Sequence, residues 1–584
     1  MVWNDICALG RREGVAEAAD PQAVGSCVEL WTRDCRKHTA DIELVPLNHD
    51  SMTERLVGTI YSVEKKEAAA GRALDQAVDV AGSRLFFGGV LAAITGWAIA
   101  GAVTGGPDLW QIILQDASSI QCYISDMILM RQQMNDFREH LRIIALLRSR
   151  SYTITKCFRL LIEQERLETA ARALHSERSL NIAKLSSAEL ARLSSRGHSH
   201  MAIQTSTNLK SSDSFQVTWK TKPAVFHDLE RAARELDAIG DAISLAPEDF
   251  IDRVIVITAD VMGSIWMLIA FVIGMVVWIA LGPKYNFSNN WQLWLNTCTA
   301  LQQTLSTSLL TLARNRHTNF IERCMCAIFR QDCEVEYRAR TLIGYDGPNE
   351  VVKIEWAAEH RFERSLDWYA SFIGSGYAAL ISLVLFVVWL AIGHLMSWGD
   401  NWWLIVGTWT GVVGTFNAAV LRYNLYRQEE KAEAEYDILI EQDKAIFKEL
   451  GLPCTNQVID LKPNLMTRLS TFTSWVCATP WAVLATLCLI LGLLIGATVV
   501  LWNETAQLLV NSVTMIVESF FLIVLIDAHN VQATQHRVRL HDLLMRRLQL
   551  LVIHRRVEMD EVSSMDSFQP SESDSLLIDK TMLS

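Results

Sequence analysis

Three segments of this 584-residue chain carry largely polar side chains at positions that would share one face of a helix, and a further segment has small, glycine-rich residues at the same positions. Each segment has four such positions, spaced i, i+3, i+7 and i+10. They are Gln115, Ser118, Cys122 and Ser125; Asn296, Thr299, Gln303 and Ser306; Gly407, Thr410, Gly414 and Asn417; and Asn511, Thr514, Glu518 and Phe521. Amide, hydroxyl, thiol and carboxylate groups in this mixture suit weak coordination of first-row divalent cations.

Glu518 is the acidic member of this set, and its segment 505–526 has no other charged residue. A carboxylate at the depth of a bilayer costs ~3 kcal/mol or more, so we interpret it as functional. Asp116 and Asp126 lie next to this face on the first helix and are predicted to face the same interior. The predicted metal-contacting residues are Glu518, Gln303, Cys122, Asp116, Asp126, Asn296, Asn511, Gln115 and Asn417. Hydrogen bonding between packed membrane helices is the alternative role for the hydroxyl-bearing positions.

Further candidates lie at the two ends of these helices. Asp108, Asp400 and Glu504 stand two residues before Trp110, Trp402 and Ala506, and Asn289 is their equivalent. Three carboxylates at an outer mouth would concentrate cations, although helix N-capping is an equally good interpretation. At the inner end, Asp527 and His529 either receive a metal ion or end the last helix.

Composition shows which elements must position these residues. Half of the chain is hydrophobic and tryptophan occurs 19 times, which is typical of a membrane protein. Each polar segment follows an apolar one, and each is long enough for the ~20 helical residues that cross a bilayer. The apolar segments are 81–104, 255–281, 369–396 and 475–502, and the polar ones are 109–130, 290–313, 401–421 and 505–526. We therefore predict eight transmembrane helices in four hairpins.

The distribution of basic residues predicts the orientation of these hairpins. Lys284 is the one basic residue inside the four hairpins, whereas the connections between them are rich in arginine and lysine. Basic connections stay on the cytoplasmic side, so both termini are predicted to be cytoplasmic. No signal peptide precedes the first span, which would serve as its own insertion signal.

The pattern of the hairpins indicates four parallel repeats. A Gly-Ser pair is followed at identical spacing by Trp, Gly and Trp in three of them, beginning at Gly82, Gly263 and Gly374; the fourth, at Ala478, is degenerate. Close helix packing and interfacial anchoring are the predicted roles of these positions. The fold class is therefore an all-α membrane protein of four two-helix repeats with cytoplasmic helical extensions.

The same pattern divides the chain into regions. We expect a cytoplasmic N-terminal region at 1–74, repeat 1 at 75–175, and a flexible serine-rich insert at 176–225. Repeats 2, 3 and 4 follow at 226–350, 351–455 and 456–556, before an acidic disordered tail at 557–584.

Several classes of function are disfavoured by the sequence. It has no zinc-protease, phosphate-loop or nucleophile-elbow motif, so an enzyme is not predicted. No basic tract interleaved with aromatic residues indicates nucleic-acid binding. The expected partners are divalent metal ions and the lipid bilayer, and a homo-oligomer stays open.

The repeated motif resembles the low-affinity iron permease family over residues 75–555. Its best copy runs from Asn289-Asn290-Trp291-Gln292 to Asn296-Thr297 and Thr299, with Asn315-Arg316 beyond, and related tips are Gly106-Pro-Asp108-Leu-Trp110-Gln111 and Gly399-Asp400-Asn401-Trp402. The resemblance implies a plasma-membrane transporter for Fe(II), with some uptake of Cu, Zn, Mn and Co and no resident cofactor. Gly407 in place of an amide, and the missing tryptophan of the fourth copy, depart from the pattern.

Two other functions remain open from the sequence. A membrane-anchored scaffold or sensor would work through its cytoplasmic helices and would not need Glu518. A monovalent cation channel would keep the path and change its substrate.

Overall fold

The computed structural model describes residues 13–16, 69–163, 250–356, 360–449 and 465–566, and these are mostly helical. The helices fall into four groups of three, each with a short, a medium and a long helix. The groups are α1 (Ala69–Ala81), α2 (Arg84–Thr104) and α3 (Asp108–Glu163); α4 (Phe250–Met262), α5 (Ile265–Leu281) and α6 (Asn289–Ile343); α7 (Arg361–Ile373), α8 (Gly376–Leu395) and α9 (Asp400–Glu449); and α10 (Leu465–Cys477), α11 (Pro480–Val499) and α12 (Glu504–Asp566).

A capped break separates each short helix from the medium helix that follows. The hydroxyl groups of Ser83, Ser264, Ser375 and Thr479 accept hydrogen bonds from backbone N–H groups three residues on. Hydroxyl caps of this kind start a new helix. The predicted single spans 255–281, 369–396 and 475–502 were therefore wrong, because each is divided between a short and a medium helix, at Gly263-Ser264, Gly374-Ser375 and Ala478-Thr479.

The short helices were not predicted as separate elements. Each has 13 residues, and α1, α4 and α7 have strongly one-sided apolar faces. On α10, Leu465, Phe472 and Trp475 are exposed. Such helices typically lie along a membrane interface.

The long helices form a ring. α3 packs against α6 and α9, and α12 packs against the same two helices. The order around the ring is therefore α3, α6, α12, α9, which differs from the order along the chain. The end with the connections between medium and long helices is called the hairpin end here, and the opposite end the bundle end.

Glycines set how each hairpin meets the neighbouring long helix. A Cβ added to Gly82 would lie 2.7 Å from the Asn315 side chain of α6. One added to Gly263 would lie 2.8 Å from the backbone nitrogen of Asp527 on α12, and one on Gly374 would lie 3.0 Å from that of Arg131 on α3. The Gly-Ser positions thus allow close helix packing, the role that the sequence favoured.

Six helices of the described ranges are long and apolar enough to cross a membrane. They are α2, α5 with the 3₁₀ turn that follows it, α8, α9, α11 and α12. The hairpin-end halves of α3 and α6 are too polar to join this set, because amides, hydroxyls and aspartates interrupt their apolar residues. These polar groups are largely buried within the ring.

In three of the hairpins a pair of tryptophans, called a clasp here, links the two helices. Trp97 and Trp110 stack with ring centroids 3.8 Å apart, and each indole N–H donates to the backbone oxygen of the other residue. Trp278 with Trp291, and Trp389 with Trp402, repeat the arrangement. The tryptophans therefore join the two helices of a hairpin.

Breaking one clasp is expected to destabilise the protein. Trp291 is 6% exposed, whereas Trp294, one turn further along α6, is 49% exposed. Trp291→Ala should cost about 3–5 kcal/mol, because a buried aromatic ring and its hydrogen bonds are lost. Thermal unfolding in detergent should show a clearly lower midpoint for Trp291→Ala and a small change for the control Trp294→Ala; equal midpoints would contradict the clasp.

Two features at the bundle end differ from the prediction. α12 continues to Asp566, so the tail predicted to be disordered from 557 begins within a helix. The fold is not purely α-helical either, because β1 (Glu13–Ala16) pairs antiparallel with β2 (Val352–Glu355). The predicted insert 176–225 lies outside the described residues.

Buried ion pairs hold the long helices together at this end. Arg547 of α12 contacts Asp332 of α6 at 2.5 Å, and it also contacts Asp443 of α9 at 2.5 Å. All three side chains are fully buried. Pairs of this kind have exacting geometry, because either partner left alone would be an uncompensated buried charge.

Candidate functional site

The centre of the ring is lined by polar side chains at successive levels. Nearest the hairpin end, Asp116 of α3 and Asn511 of α12 meet in front of Gly407 of α9. A Cβ at Gly407 would lie 3.3 Å from Asp116 Oδ1 and 3.4 Å from Asn511 Nδ2. Gly407 leaves room for the neighbouring helices' polar groups and contributes none of its own.

The second level contains Glu518. The side chain is 3% exposed, and a Cβ added to Gly414 would lie 2.9 Å from its Oε1. Gln303 of α6 lies beside the carboxylate and donates its Nε2 proton to the Met515 carbonyl oxygen at 3.1 Å. Cys122 of α3 interacts electrostatically with Glu518. The structure thus brings together the four residues that the sequence spacing put at one level.

Asp126 and Asn417 form the third level. Asp126 is fully buried and interacts electrostatically with Glu518. The Asn417 amide lies beside it without meeting hydrogen-bond geometry. Tyr369 of α7 donates its hydroxyl proton to Asn417 Oδ1 at 2.7 Å, which orients the amide nitrogen. Tyr369 was not predicted, since α7 itself was not.

Many of these buried polar atoms have no hydrogen-bond partner among the described residues. They are Asp116 Oδ2, both oxygens of Asp126, both amide atoms of Asn296, Asn417 Nδ2, Asn511 Oδ1 and Glu518 Oε1. Buried polar atoms in proteins are normally satisfied, and each exception needs an explanation such as water or an ion. No lysine or arginine lies in the ring segments 109–130, 290–313, 401–421 and 505–526. The centre of the ring is therefore a column of buried carboxyl and amide groups with unsatisfied atoms, a set of ligands suited to a cation.

Two predicted path residues lie in a helix contact instead. Gln115 donates its Nε2 protons to the Leu293 carbonyl oxygen and to Thr297 Oγ1, both at 3.2 Å. Ser118 donates to the Ala300 carbonyl oxygen at 2.7 Å. The rotation of α3 turns this side towards α6, which replaces Gln115 at the centre by Asp116.

Two of the candidate residues at the hairpin end, Asn289 and Glu504, do not cap their helices. Ser288 and Asn503 are the residues that cap α6 and α12, accepting from the backbone N–H groups of Trp291 and Ala506. Asn289 and Glu504 come one position later, and Asn289 Nδ2 donates to Glu504 Oε1 at 3.1 Å. This bond joins α6 to α12 at the mouth of the ring. The side chains of Asp108 and Asp400 lie outside the described residues.

The two candidate residues at the bundle end, Asp527 and His529, face different surroundings. Asp527 Oδ2 accepts a hydrogen bond from Ser470 of α10 at 2.6 Å, in a small cavity between α5, α10 and α12. It therefore faces away from the centre of the ring. His529 is buried with its ring centroid 5.5 Å from that of His317. Neither residue ends the helix, since α12 runs on for more than thirty residues.

His529 belongs to a group that we call the histidine layer: His140 of α3, His317 of α6, and His529 and His536 of α12. Burial lowers the pKa of His140 to about 3, and burial with the neighbouring histidines and Arg537 lowers the pKa of His317 well below its ordinary value. Both imidazoles are therefore neutral at pH 7. The sequence held a signal for this layer that was missed, because His140 and His536 each lie thirty residues after the tryptophan position of their segment.

The described residues contain no preformed cage of three or more His, Cys, Asp or Glu side chains for a metal ion. The central column instead offers single carboxylates at successive levels, with amides between them. Sparse ligands bind a cation weakly and release it readily, as conduction requires. The arrangement is chemically suited to passing an ion along and ill suited to retaining one.

Two known proteins that are similar in sequence to this chain are named as transporters of metal ions. Residues 251–326 and 466–568 match the family described as low affinity iron permease. The chain is 33% identical over 559 residues to the low-affinity iron/zinc ion transport protein fet4 of Schizosaccharomyces pombe, covering 94% of this chain and 85% of that protein. It is 31% identical over 506 residues to the low-affinity Fe(2+) transport protein of Saccharomyces cerevisiae, covering 82% of each. No solved structure matches the chain.

Proposed function

Because the chain belongs to the low affinity iron permease family, we propose that it imports ferrous iron with low affinity across the plasma membrane. It is a multi-pass membrane protein, and the relatives with which it aligns are transporters rather than enzymes.

The ion passes through the centre of the ring formed by α3, α6, α9 and α12. One observation carries this proposal: buried polar atoms without partners converge there at three successive levels. Glu518, Asp126 and Asp116 supply negative charge, Asn296 and Asn511 supply amide oxygens, and Gln303 and Asn417 lie beside the carboxylates. Three carboxylates buried together without a counter-ion are costly, and a passing cation offsets that cost.

The topology follows the predicted one, with eight spanning helices in four parallel repeats. The polar halves of α3 and α6 cross the membrane because the ring shields their polar faces from lipid. Each group of three helices is one repeat, with its short helix at the membrane surface. Both termini and the long-helix extensions are cytoplasmic, so Glu504, with Asp108 and Asp400, lies at the outer mouth.

The metals include zinc and other first-row divalent cations besides iron. The name of the Schizosaccharomyces pombe relative includes zinc, and oxygen ligands with one thiol nearby also admit Cu, Mn and Co. No resident cofactor takes part in this route, and divalent ions are the cargo. One chain encloses one path.

Uptake of radioactive iron tests the proposal directly. Cells that lack other iron importers should take up Fe(II) under reducing conditions when they express this chain. Excess Zn(II) should compete with the uptake, whereas excess K⁺ or Na⁺ at the same ionic strength should not. Surface expression is measured in parallel, so that rates are compared per molecule.

The competing functions give different results in the same assay. A monovalent cation channel would show competition by K⁺ or Na⁺ and little by Zn(II). A scaffold or sensor would import no iron at full surface expression. Either result would reject the proposed function.

A further inference from the structure

Buried polar atoms without hydrogen-bond partners also occur beyond Asp126, towards the bundle end. The buried amides of Gln132 on α3 and Asn424 on α9 have atoms without partners among the described residues. Asn424 lies seven residues beyond Asn417, which is ~10 Å along a helix. The histidine layer comes next, so the column leads from carboxylates through amides to imidazoles.

Two histidines of this layer have the spacing of metal ligands. His317 Nε2 of α6 and His536 Nδ1 of α12 share a hydrogen bond of 3.3 Å, a distance that a metal ion replacing its proton would keep. Two nitrogens bound at ~2.0–2.1 Å to one tetrahedral ion would be ~3.3 Å apart. His317 Nδ1 is buried and has no partner in the described ranges, so the ring is not committed to a second hydrogen bond. His529 stands edge-on to His317, with ring centroids 5.5 Å apart, and is a further imidazole beside the pair.

His140 differs from these residues. Its Nε2 is hydrogen-bonded to the Tyr436 hydroxyl of α9. Its ring centroid is 5.5 Å from that of His536. The contact orients the layer from its other side, and we assign His140 a positioning role.

Positive charges near the histidine layer weaken the binding of a cation there. Arg314 and Arg537 act electrostatically on His529, and Asp136 is an opposing charge beside Arg314. Two guanidinium groups disfavour long residence of a divalent cation, because like charges repel in a buried site. Binding at this place is therefore weak and followed by release.

We propose that His317 and His536 form a second binding step for the transported ion at the bundle end, an imidazole site for first-row divalent cations. This inference rests on the proposed route through the ring. Imidazole binds Fe²⁺, Co²⁺ and Zn²⁺ well, whereas Mg²⁺ and Ca²⁺ prefer oxygen ligands. The step thus adds a selectivity that the carboxylates and amides alone do not provide.

Binding of Co²⁺ to the purified full-length protein in lipid nanodiscs tests the site. The variants are Glu518→Gln, the double variant His317→Gln/His536→Gln, and the control His394→Gln, whose side chain is exposed on α8. The visible spectrum of imidazole-bound Co²⁺ should persist in Glu518→Gln and in the control. In the double variant, Co²⁺ affinity at this site should fall ~10-fold or more. Zn²⁺ should displace the bound Co²⁺ and excess Mg²⁺ should not.

A second measurement does not depend on how the double variant folds. Zn²⁺-loaded Glu518→Gln protein should show imidazole nitrogen in the X-ray absorption of zinc, whereas oxygen ligands alone would overturn the inference. An unchanged Co²⁺ spectrum in the folded double variant would also overturn it, and iron uptake by the intact protein would then leave the proposed function standing. Imidazole-bound Co²⁺ in a protein that imports no iron would support the site and reject the proposed function.

Discussion

Glu518→Gln is expected to abolish iron uptake at unchanged surface expression. The carboxylate is buried at the second level of the ring, with Gln303 and Gly414 beside it and with Oε1 unpartnered. Removing one partner of a buried charge interaction costs ~2–5 kcal/mol. Even ~3 kcal/mol corresponds to about a 100-fold change in occupancy of the site by the ion. Initial rates of radioactive Fe(II) uptake measure the effect.

The thermal stability of Glu518→Gln distinguishes the loss of a metal ligand from damage to the fold. Glutamine is nearly isosteric and removes the repulsion between Glu518 and Asp126, so the thermal midpoint of the variant should equal or exceed that of the intact protein. The matched control is Glu441→Gln, the same exchange at an exposed position of α9, which should leave uptake unchanged. Full uptake by Glu518→Gln would move the selective site to another level, with Asp116 and Asp126 next to be replaced.

Gly414→Val is expected to block uptake by a different physical cause. A Cβ at this position would lie 2.9–3.1 Å from the Glu518 carboxylate, so the side chain would displace the carboxylate and fill the centre of the ring. Because the atoms in the way are the end of a flexible side chain, the helices need not move apart. Gly414→Ala should therefore lower uptake in part, and Gly414→Val should lower it to background. Uptake rates of the two variants give the comparison.

Gly274→Val is the matched control, since a Cβ at Gly274 on α5 meets nothing within 4 Å. It introduces the same side chain into a helix of the same protein and should leave uptake near that of the intact protein. If Gly414→Val transported iron normally while properly folded, the centre of the ring would not be the route. Equal loss in both glycine variants would indicate a general effect of valine on these helices.

The column around Glu518 illustrates how far sequence alone can go. The i, i+3 and i+7 spacing put Cys122, Gln303 and Gly414 at the level of Glu518, and the structure places Gln303 and Gly414 beside its carboxylate. This worked because the periodicity of a helix is local. The same reasoning failed for Gln115, because the rotation of α3 about its axis depends on its packing against α6.

Helix caps and the histidine layer were the other places where local patterns were insufficient. Asn289 is a residue type that favours caps, yet Ser288 and Asn503 take that role and the later pair, Asn289 and Glu504, joins two helices. His317 and His536 are 219 positions apart, so no spacing within one segment brings them together.

The sequence by itself determined that this is a helical membrane protein, because hydrophobicity and helical periodicity are written in contiguous residues. It also put Gln303 and Gly414 at the level of Glu518. The tertiary structure decided the order of the long helices around the ring, the choice of Asp116 over Gln115 at its centre, and the meeting of four histidines from three helices. These outcomes depend on the packing of side chains from distant segments, where small residues such as Gly374 and Gly414 set how closely two helices approach.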